Sequence, residues 1–365
     1  MKITSSLIIP IHNGIHYLSI FWKSLKPWLN NSTEVILIDD GSDQDVFSIF
    51  KDGHDLEIFF LKNKNPKGFA SSVNEGIRNA KGDYLFILNA DLIFRNDFVQ
   101  IMVDRLKKNP KIGILGSKLI FPQNGKVQVF GVGFTDTNHF HLFKYQDPEN
   151  KLLSNDLRFQ AAVFAAVCIP KNVQEKVGFL DEKYFNGYED LDYSFRVRTL
   201  GYEVAYENST IVYHWRLQSG FGRDALRKEN ITRLWSNWSH KIKSDLKTFF
   251  IRHLLQAEND MSLSAKKYDL VILSRGNEWR EITEILQNHL KISNVYHFQY
   301  RNRPNNKLWL PQILPPDFLL INNPIIYLID EAPILNQNYY WYDRRKKMAD
   351  DIIIDHLGNI IKVTE

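Results

Sequence analysis

The amino-acid sequence predicts an α/β fold with a central, mostly parallel sheet, followed by a smaller α/β unit. Three observations carry that expectation. Short apolar runs alternate with amphipathic stretches through the first ninety residues, the pattern of parallel strands joined by crossover helices. Each run ends in a polar loop supplied with Asn, Asp, Gly or Lys. Around Glu258 to Lys267 the composition turns polar, and beyond it the alternation resumes.

Ser6 to Pro10 predicts the first strand, with a loop at His12-Asn13-Gly14 and a helix through Leu18, Phe21, Leu25 and Trp28. Glu34 to Asp39 predicts the second. It stops at Asp40-Gly41-Ser42, where an acid, a glycine and a serine favour a tight turn and a helix start. Leu56 to Leu61 predicts the third strand, and the loop Asn63 to Gly68 leads into a helix from about Ala70 to Ala80. The fourth strand, Tyr84 to Leu88, delivers Asn89-Ala90-Asp91 to its carboxyl end. In a parallel sheet these four loops share one edge, the edge where open α/β sheets bind ligands.

From Ile112 to about Phe143 the pattern changes to shorter strands with glycine turns, which predicts a mixed sheet. Asp156 to Pro170 reads as a further strand and Asp190 to Leu200 as a helix ended by Gly201. Val204 to Val212 reads as a strand that leaves His214 and Trp215 just beyond it. Asp224 to about Ala257 reads as helical, with Trp235 and Trp238 on one face. In the second unit Asp269 to Leu273 and Ile325 to Ile329 read as strands, and Glu278 to Leu290 and Tyr339 to Ala349 as helices. The expected organisation is a main domain over 1–223, a helical extension and linker over 224–265, and an accessory α/β domain over 266–365.

Bulk properties narrow the function classes. The 365 residues, 44% hydrophobic and 24% charged, describe a soluble globular chain long enough for two cores. Its apolar runs fall far short of the roughly 20 residues of a spanning helix, and Met1-Lys2 leads straight into a strand pattern without a signal peptide. One cysteine, Cys168 between Val167 and Ile169, excludes an intramolecular disulfide and reads as a small buried hydrophobe. The net charge of +4 is spread out, and its basic residues do not interleave with aromatics in a nucleic-acid motif. Arg344-Arg345-Lys346-Lys347 is the densest basic run, a solvated helix face or a contact for an anionic membrane surface.

Two acidic elements point to chemistry. A carboxylate at a strand's carboxyl end, as at Asp91, can coordinate a hard divalent cation, although turns use the same residue types. Glu189 and Asp190 open a helix, where acids are also favoured by the helix dipole alone. The loop before them, Phe185-Asn186-Gly187-Tyr188, points to a close approach to a ligand. Asp192 and Arg196, four apart, read as a surface pair. His214 is either a hydrogen-bonded structural histidine or a neutral imidazole for the same cation. The loop Asn65 to Gly68 lacks the Gly-Lys-Ser/Thr ending of a phosphate-binding loop, which argues against ATP hydrolysis. In the C-terminal part, Asp330-Glu331 reads as a strand-ending turn, and Tyr339-Tyr340-Trp341-Tyr342 as a sugar-stacking or core cluster.

Taken in order, six pieces resemble the family 2 glycosyltransferases, inverting enzymes of the GT-A fold that use nucleotide-diphosphate sugars. They are Ile9-Pro10-Ile11-His12-Asn13, Asp39-Asp40-Gly41-Ser42, Asn65-Pro66-Lys67-Gly68-Phe69-Ala70 with Asn74-Glu75-Gly76, Asn89-Ala90-Asp91, Gly187-Tyr188-Glu189-Asp190, and His214. In detail they are most similar to the bacterial rhamnosyltransferase and galactofuranosyltransferase branch. The resemblance implies donor contacts from Pro10, His12, Asn13, Asp40, Gly68, Asn74, Asn89, Ala90 and Asp91, with Pro10, His12 and Asp40 lining the nucleoside pocket. It implies that Asp91 and His214 hold Mg2+ or Mn2+, and that Glu189 and Asp190 are the catalytic acids, Asp190 being the general base. His12 stands where the family more often has Tyr, and Asn89 replaces the first acid of the usual Asp-x-Asp.

The implied partners are a UDP- or dTDP-sugar donor and a glycan or lipid-linked glycan acceptor, with no nucleic acid. The expected setting is cytoplasmic or peripheral at the inner face of the cell membrane, and the C-terminal domain is expected to serve acceptor binding, a partner or self-association as a homo-oligomer. Loops around Phe164, Ala165, Tyr188 and Trp215 would set specificity. Two other readings stand beside this one. A non-catalytic nucleotide-sugar or glycan-binding module would need no base such as Asp190. A sugar nucleotidylyltransferase would carry a glycine-rich N-terminal loop with Arg and Lys, which Pro10-Ile11-His12-Asn13 is not.

Overall fold

Strand β1 (Ser5–Ile11) divides its side chains between two cores. Leu7, Ile9 and Ile11 point into a cluster with Leu18, Phe21, Trp22 and Leu25 of helix α1 (Ile15–Leu25), while Ile8 faces helix α2 (Phe69–Asn79) on the other side. Alternation of direction along a strand produces this split, and helices on both faces are what a parallel sheet requires. These contacts come from a computed structural model that describes residues 2–53, 55–134, 139–215, 223–245, 248–249, 251–252, 254–255, 262–274, 280–299, 301–302, 308–309, 323–329, 351–355 and 360–362. The chain divides into two compact units, Met1–Lys243 and Ser244–Glu365.

In the first unit, β1 pairs in parallel with β2 (Thr33–Asp40) and β4 (Tyr84–Leu88), and β2 with β3 (Glu57–Asn63). The four polar loops therefore leave one edge, as the alternation predicts. Beyond β4 come β5 (Leu92–Phe94), helix α3 (Phe98–Lys108), β6 (Ile112–Ile120) and three short strands, β7 (Val127–Val129), β8 (Val132–Phe134) and β9 (His139–His141). β10 (Ala166–Pro170), helix α4 (Lys171–Val177), helix α5 (Glu189–Thr199), β11 (Glu203–His214) and helix α6 (Arg223–Trp238) follow. The sheet runs β3-β2-β1-β4-β10-β6-β11-β5, with β7 paired to β6. β10 lies antiparallel between β4 and β6, so the sheet is mixed on this side.

Several expectations are corrected. The strand expected from Asp156 is confined to Ala166–Pro170; before it Phe159 makes only an isolated bridge to Val204, and the next backbone donors go to side chains. Ala162, Val163 and Phe164 donate to Ser194 Oγ, the Tyr206 hydroxyl and Asp190 Oδ2. The helix expected from Asp224 to Ala257 ends first at Trp238, where Gln160 captures Lys243 through a reciprocal pair of hydrogen bonds of 2.6 and 2.9 Å. β11 continues through His214 instead of stopping at Val212. Asp192 is a buried carboxylate, not a surface one: it accepts from Arg196 Nε and from Trp238 Nε1, each at 2.8 Å. Cys168 is fully buried in β10, and burial pushes its thiol pKa well up.

In the second unit β12 (Lys267–Ser274) is central, flanked in parallel by β13 (Lys291–Gln299) and by β16 (Ile325–Ile329), with helix α7 (Arg280–His289) between β12 and β13 in the chain. β14 (Arg301–Asn302) and β15 (Leu308–Trp309) form a separate antiparallel pair. β17 (Ile352–Asp355) extends the sheet in parallel and β18 (Ile360–Lys362) closes it antiparallel. Neither β13 nor β17 is evident in the hydrophobic pattern. β13 mixes Ile292, Val295 and Tyr296 with polar residues, and β17 is four residues long. Asp330-Glu331, Tyr339 to Tyr342, Arg344 to Lys347 and the helix expected at Tyr339 to Ala349 lie outside the described residues. Among the described residues no helix is long and apolar enough to cross a membrane.

Helix α2 lies close against the sheet at Gly76, where an added Cβ would stand 2.4 Å from Ile8 Cγ2 and 3.1 Å from Ile38 Cδ1. Gly76→Val should therefore destabilise the first unit by about 1–3 kcal/mol through overpacking. A lowered midpoint in urea titration, followed by tryptophan fluorescence, checks this.

Candidate active site

The loops after β1 and β2 are joined by hydrogen bonds. The Nδ1–H of His12 donates to the Asp40 carbonyl at 2.8 Å, the Asn13 N–H to Ser42 Oγ at 2.7 Å, and the Asp43 N–H to Asn13 Oδ1 at 3.0 Å. A carbonyl only accepts, so a neutral His12 ring is left with Nε2 as acceptor, 3.4 Å from Asn13 Nδ2. Asn13 takes φ 57°, a left-handed conformation that asparagine tolerates. Pro10 lies one residue before the end of β1, partly buried.

Asp40 ties in the third loop. Its buried carboxylate accepts from Asn63 Nδ2 at 3.0 Å, the Lys67 N–H at 2.9 Å and the Gly68 N–H at 2.8 Å. About four acceptor directions exist on a carboxylate, so Asp40 is mostly engaged in holding this loop. Gly68 has φ 91°, and a Cβ there would stand 2.9 Å from the Phe185 ring. Only glycine lets this loop lie against the segment before α5. The next N–H, of Phe69, donates to Asn186 Oδ1 at 2.9 Å. Asn74, expected among the donor contacts, is buried: its amide donates to the Leu180 carbonyl and Glu182 Oε1 and accepts from the Leu180 N–H.

Asp91 and His214 meet. The pairing of β5 with β11 sets His214 opposite Leu92, and the Trp215 N–H donates to the Asp91 carbonyl at 3.2 Å. His214 Nε2 lies 3.3 Å from Asp91 Oδ1 and 3.3 Å from Asn89 Nδ2. Its Nδ1 lies 2.6 Å from Gln128 Oε1. Both His214 and Asp91 are nearly buried. Ala90 joins Asn89 to Asp91 in the turn after β4.

Asp190 reaches the same region through the segment Phe164-Ala165. The Phe164 N–H lies 3.4 Å from Asp190 Oδ2, and the neighbouring Ala165 carbonyl accepts from the Asn89 N–H at 2.8 Å. Asp190 Oδ1 also accepts from the Leu191 N–H at 2.9 Å. The two acidic elements, about a hundred residues apart in sequence, thus attach to adjacent residues.

The turn in front of Asp190 is strained. Asn186, Gly187 and Tyr188 have φ of 53°, 155° and 75° in succession, and a bulky residue in that region is an outlier costing of order 1–3 kcal/mol. Three groups hold it. Glu189, expected to be catalytic beside Asp190, is buried and accepts from the Gly187 N–H at 2.6 Å, which makes it a brace for the turn. Asn186 is tied to α2 through Phe69. Asn230 of α6, buried, donates to the Phe185 and Gly187 carbonyls at 3.1 and 3.0 Å. Gln128 and Asn230 are absent from the sequence expectations, and Asn186 enters them only as part of the loop before Asp190. For Gln128 a signal exists, a lone amide inside the apolar run Val127-Gln128-Val129; Asn230 sits in a polar stretch of helix that gives no sign of its burial.

Residues 6–167 match the family described as Glycosyl transferase family 2. This stretch is a family 2 glycosyltransferase domain. Over 181 residues the chain is 28% identical to the poly-beta-1,6-N-acetyl-D-glucosamine synthase of Staphylococcus epidermidis, covering 48% of this chain and 40% of that protein. Over 107 residues it is 33% identical to an uncharacterized glycosyltransferase of Rickettsia conorii, covering 28% of this chain and 17% of the relative. The chain spans less than half the length of these curated relatives. Among solved structures, GalNAc-T7 with UDP, GalNAc and Mn2+ superposes with a TM-score of 0.50 at 15% identity, over 79% of this chain and 55% of that one, a likeness of GT-A fold. The glycosyltransferase match ends before Asp190 and His214, and α5 and β11 bring both residues back to its edge.

Asn230→Leu removes both donors to the turn and leaves the Phe185 and Gly187 carbonyls unpaired. It should cost about 1–3 kcal/mol of stability, read as a lower midpoint in chemical denaturation.

Proposed function

We propose that the chain transfers a sugar from a nucleotide-diphosphate donor, a UDP- or dTDP-sugar, to a hydroxyl of a glycan or lipid-linked glycan, with inversion at the anomeric carbon. The observation that carries this reading is the Asp91–His214 pair at the carboxyl edge of the sheet, 3.3 Å apart, with Asp190 attached to the adjoining backbone. Similarity to a poly-beta-1,6-N-acetyl-D-glucosamine synthase supports polysaccharide synthesis as the setting.

The pair fits a divalent cation. Two ligand atoms bound at right angles about 2.1 Å from Mg2+ or Mn2+ stand about 3 Å from each other, close to the observed separation. Among the described residues no group of three or more His, Cys, Asp or Glu could hold a metal. A two-ligand site suits a cation that completes its coordination with phosphate oxygens and water. Bound there, it would neutralise charge on the departing diphosphate.

The remaining chemistry belongs to the protein. Asp190 takes the proton of the acceptor hydroxyl while its oxygen attacks the anomeric carbon opposite the leaving group, so one displacement inverts the configuration. The N–H groups of Leu191 and Phe164 orient the Asp190 carboxylate. His12, Asn13 and Asp40, joined across two loops, form the wall for the nucleoside, and Gly68 gives the third loop its close approach.

Asp190→Asn should lower turnover by about 10²–10⁴-fold, the usual range of general-base assistance, while donor binding measured by calorimetry persists. Full activity in that variant would remove Asp190 from the reaction. Asp91→Ala should weaken Mn2+-dependent donor binding. A thermal-shift panel of UDP-, dTDP- and GDP-sugars with and without Mn2+ identifies the donor, since ligand at a hundred times Kd stabilises by about 2.7 kcal/mol. Equal shifts for wild type and Asp91→Ala, with and without metal, would sink the cation assignment.

A further inference from the structure

We infer that Gln128 is a positioning residue for the cation site: it fixes which nitrogen of His214 carries the proton, and so keeps Nε2 open toward a metal. The inference rests on the reading of Asp91 and His214 as metal ligands. Gln128 Oε1 lies 2.6 Å from His214 Nδ1, and Gln128 Nε2 donates to the backbone carbonyl of the same histidine at 3.1 Å. The second bond orients the first. Rotating the amide by half a turn would set its oxygen against a carbonyl oxygen, so Oε1 must face Nδ1, and an oxygen there accepts. His214 is held as the Nδ1–H form, with the lone pair on Nε2.

The alternative tautomer has an evident partner. Asp91 Oδ1 lies 3.3 Å from Nε2, and a proton on Nε2 would be donated to that carboxylate, closing the two ligands onto each other. Gln128 draws the proton to the far side of the ring. A metal-bound imidazole gives its other N–H to an acceptor for the same reason, and loss of that acceptor typically costs 10–100-fold in metal affinity. The neutral Asn89 amide tolerates this arrangement, since its Nδ2 can donate to the Nε2 lone pair at 3.3 Å until a cation takes it.

The backbone is built to deliver this side chain. In the β6–β7 ladder Leu119 pairs with Val129 and Ile120 with Val127, so Gln128 is the extra residue of a bulge. Bulges re-aim a side chain and occur beside functional sites. Here the result is a side chain only 2% exposed, directed at one residue of β11.

The test is Gln128→Met, similar in length without the acceptor or the donor. In protein labelled with 15N-histidine, two-bond 1H–15N spectra, with His214 assigned through His214→Gln, should give the Nδ1–H pattern in wild type and a shift toward Nε2–H in Gln128→Met. Mn2+ affinity in the presence of UDP, titrated by electron paramagnetic resonance, should fall about 10–100-fold. A wild-type Nε2–H pattern, which needs no folded variant to detect, or unchanged Mn2+ affinity in Gln128→Met, would overturn the inference and leave the metal reading standing. Failure of wild type to bind Mn2+ with UDP would overturn the metal reading, and with it the purpose assigned to Gln128.

Discussion

At the carboxyl edge of four parallel strands the backbone runs out of ladder partners, and the loops supply them to one another. Asp40 gathers Asn63, Lys67 and Gly68; His12 and Asn13 bind the turn after β2. Leaving such buried groups unpaired costs about 1–3 kcal/mol each, so the edge is held as one connected surface. The residues that resemble a family signature are thus largely the ones that build this connection, and the Asp40 and Asn74 side chains each bond to more than one backbone or side-chain group.

A second pairing decides where the candidate site lies. β5 is three residues long, yet its antiparallel register with β11 sets His214 opposite Leu92 and so beside Asp91. A shift of one residue would turn His214 to the opposite face. Gln128 from β7, Asn89 after β4 and Phe164-Ala165 before β10 converge on the same point, each from a different strand connection.

Much of the fold was legible because parallel strands buried on both faces are continuous apolar runs. β4 falls at Tyr84–Leu88 as the sequence predicts, β1 and β2 extend the expected runs by one residue at each end, and β3 begins one residue later and ends two later than expected. β5 is not evident in the sequence since three residues carry no period, β7 falls within the stretch of short strands expected from Ile112 to Phe143 without a predicted range of its own, and α3 is not among the expected elements. Of the candidate site, Asp91, His214 and Asp190 were legible as residue types at element ends. What those neighbours do was not: Asn74 and Glu189 turn out to brace the backbone, and Gln128 and Asn230 act on residues far away in the chain, a relation that only the sheet register and the packing of α6 create.

The turn at Asn186 to Tyr188 carries an implication for how much chain the transferase domain needs. Asn230 is the restraint on its unfavourable backbone angles that comes from α6, and the face of that helix packs Leu234, Trp235 and Trp238 around Phe195 and Leu191. A fragment cut after β11 would keep Asp91, Glu189 and Asp190 and lose the Asn230 bonds to the turn in front of Asp190. A fragment meant to keep that restraint runs through α6 to Lys243, where Gln160 fastens the end of the first compact unit.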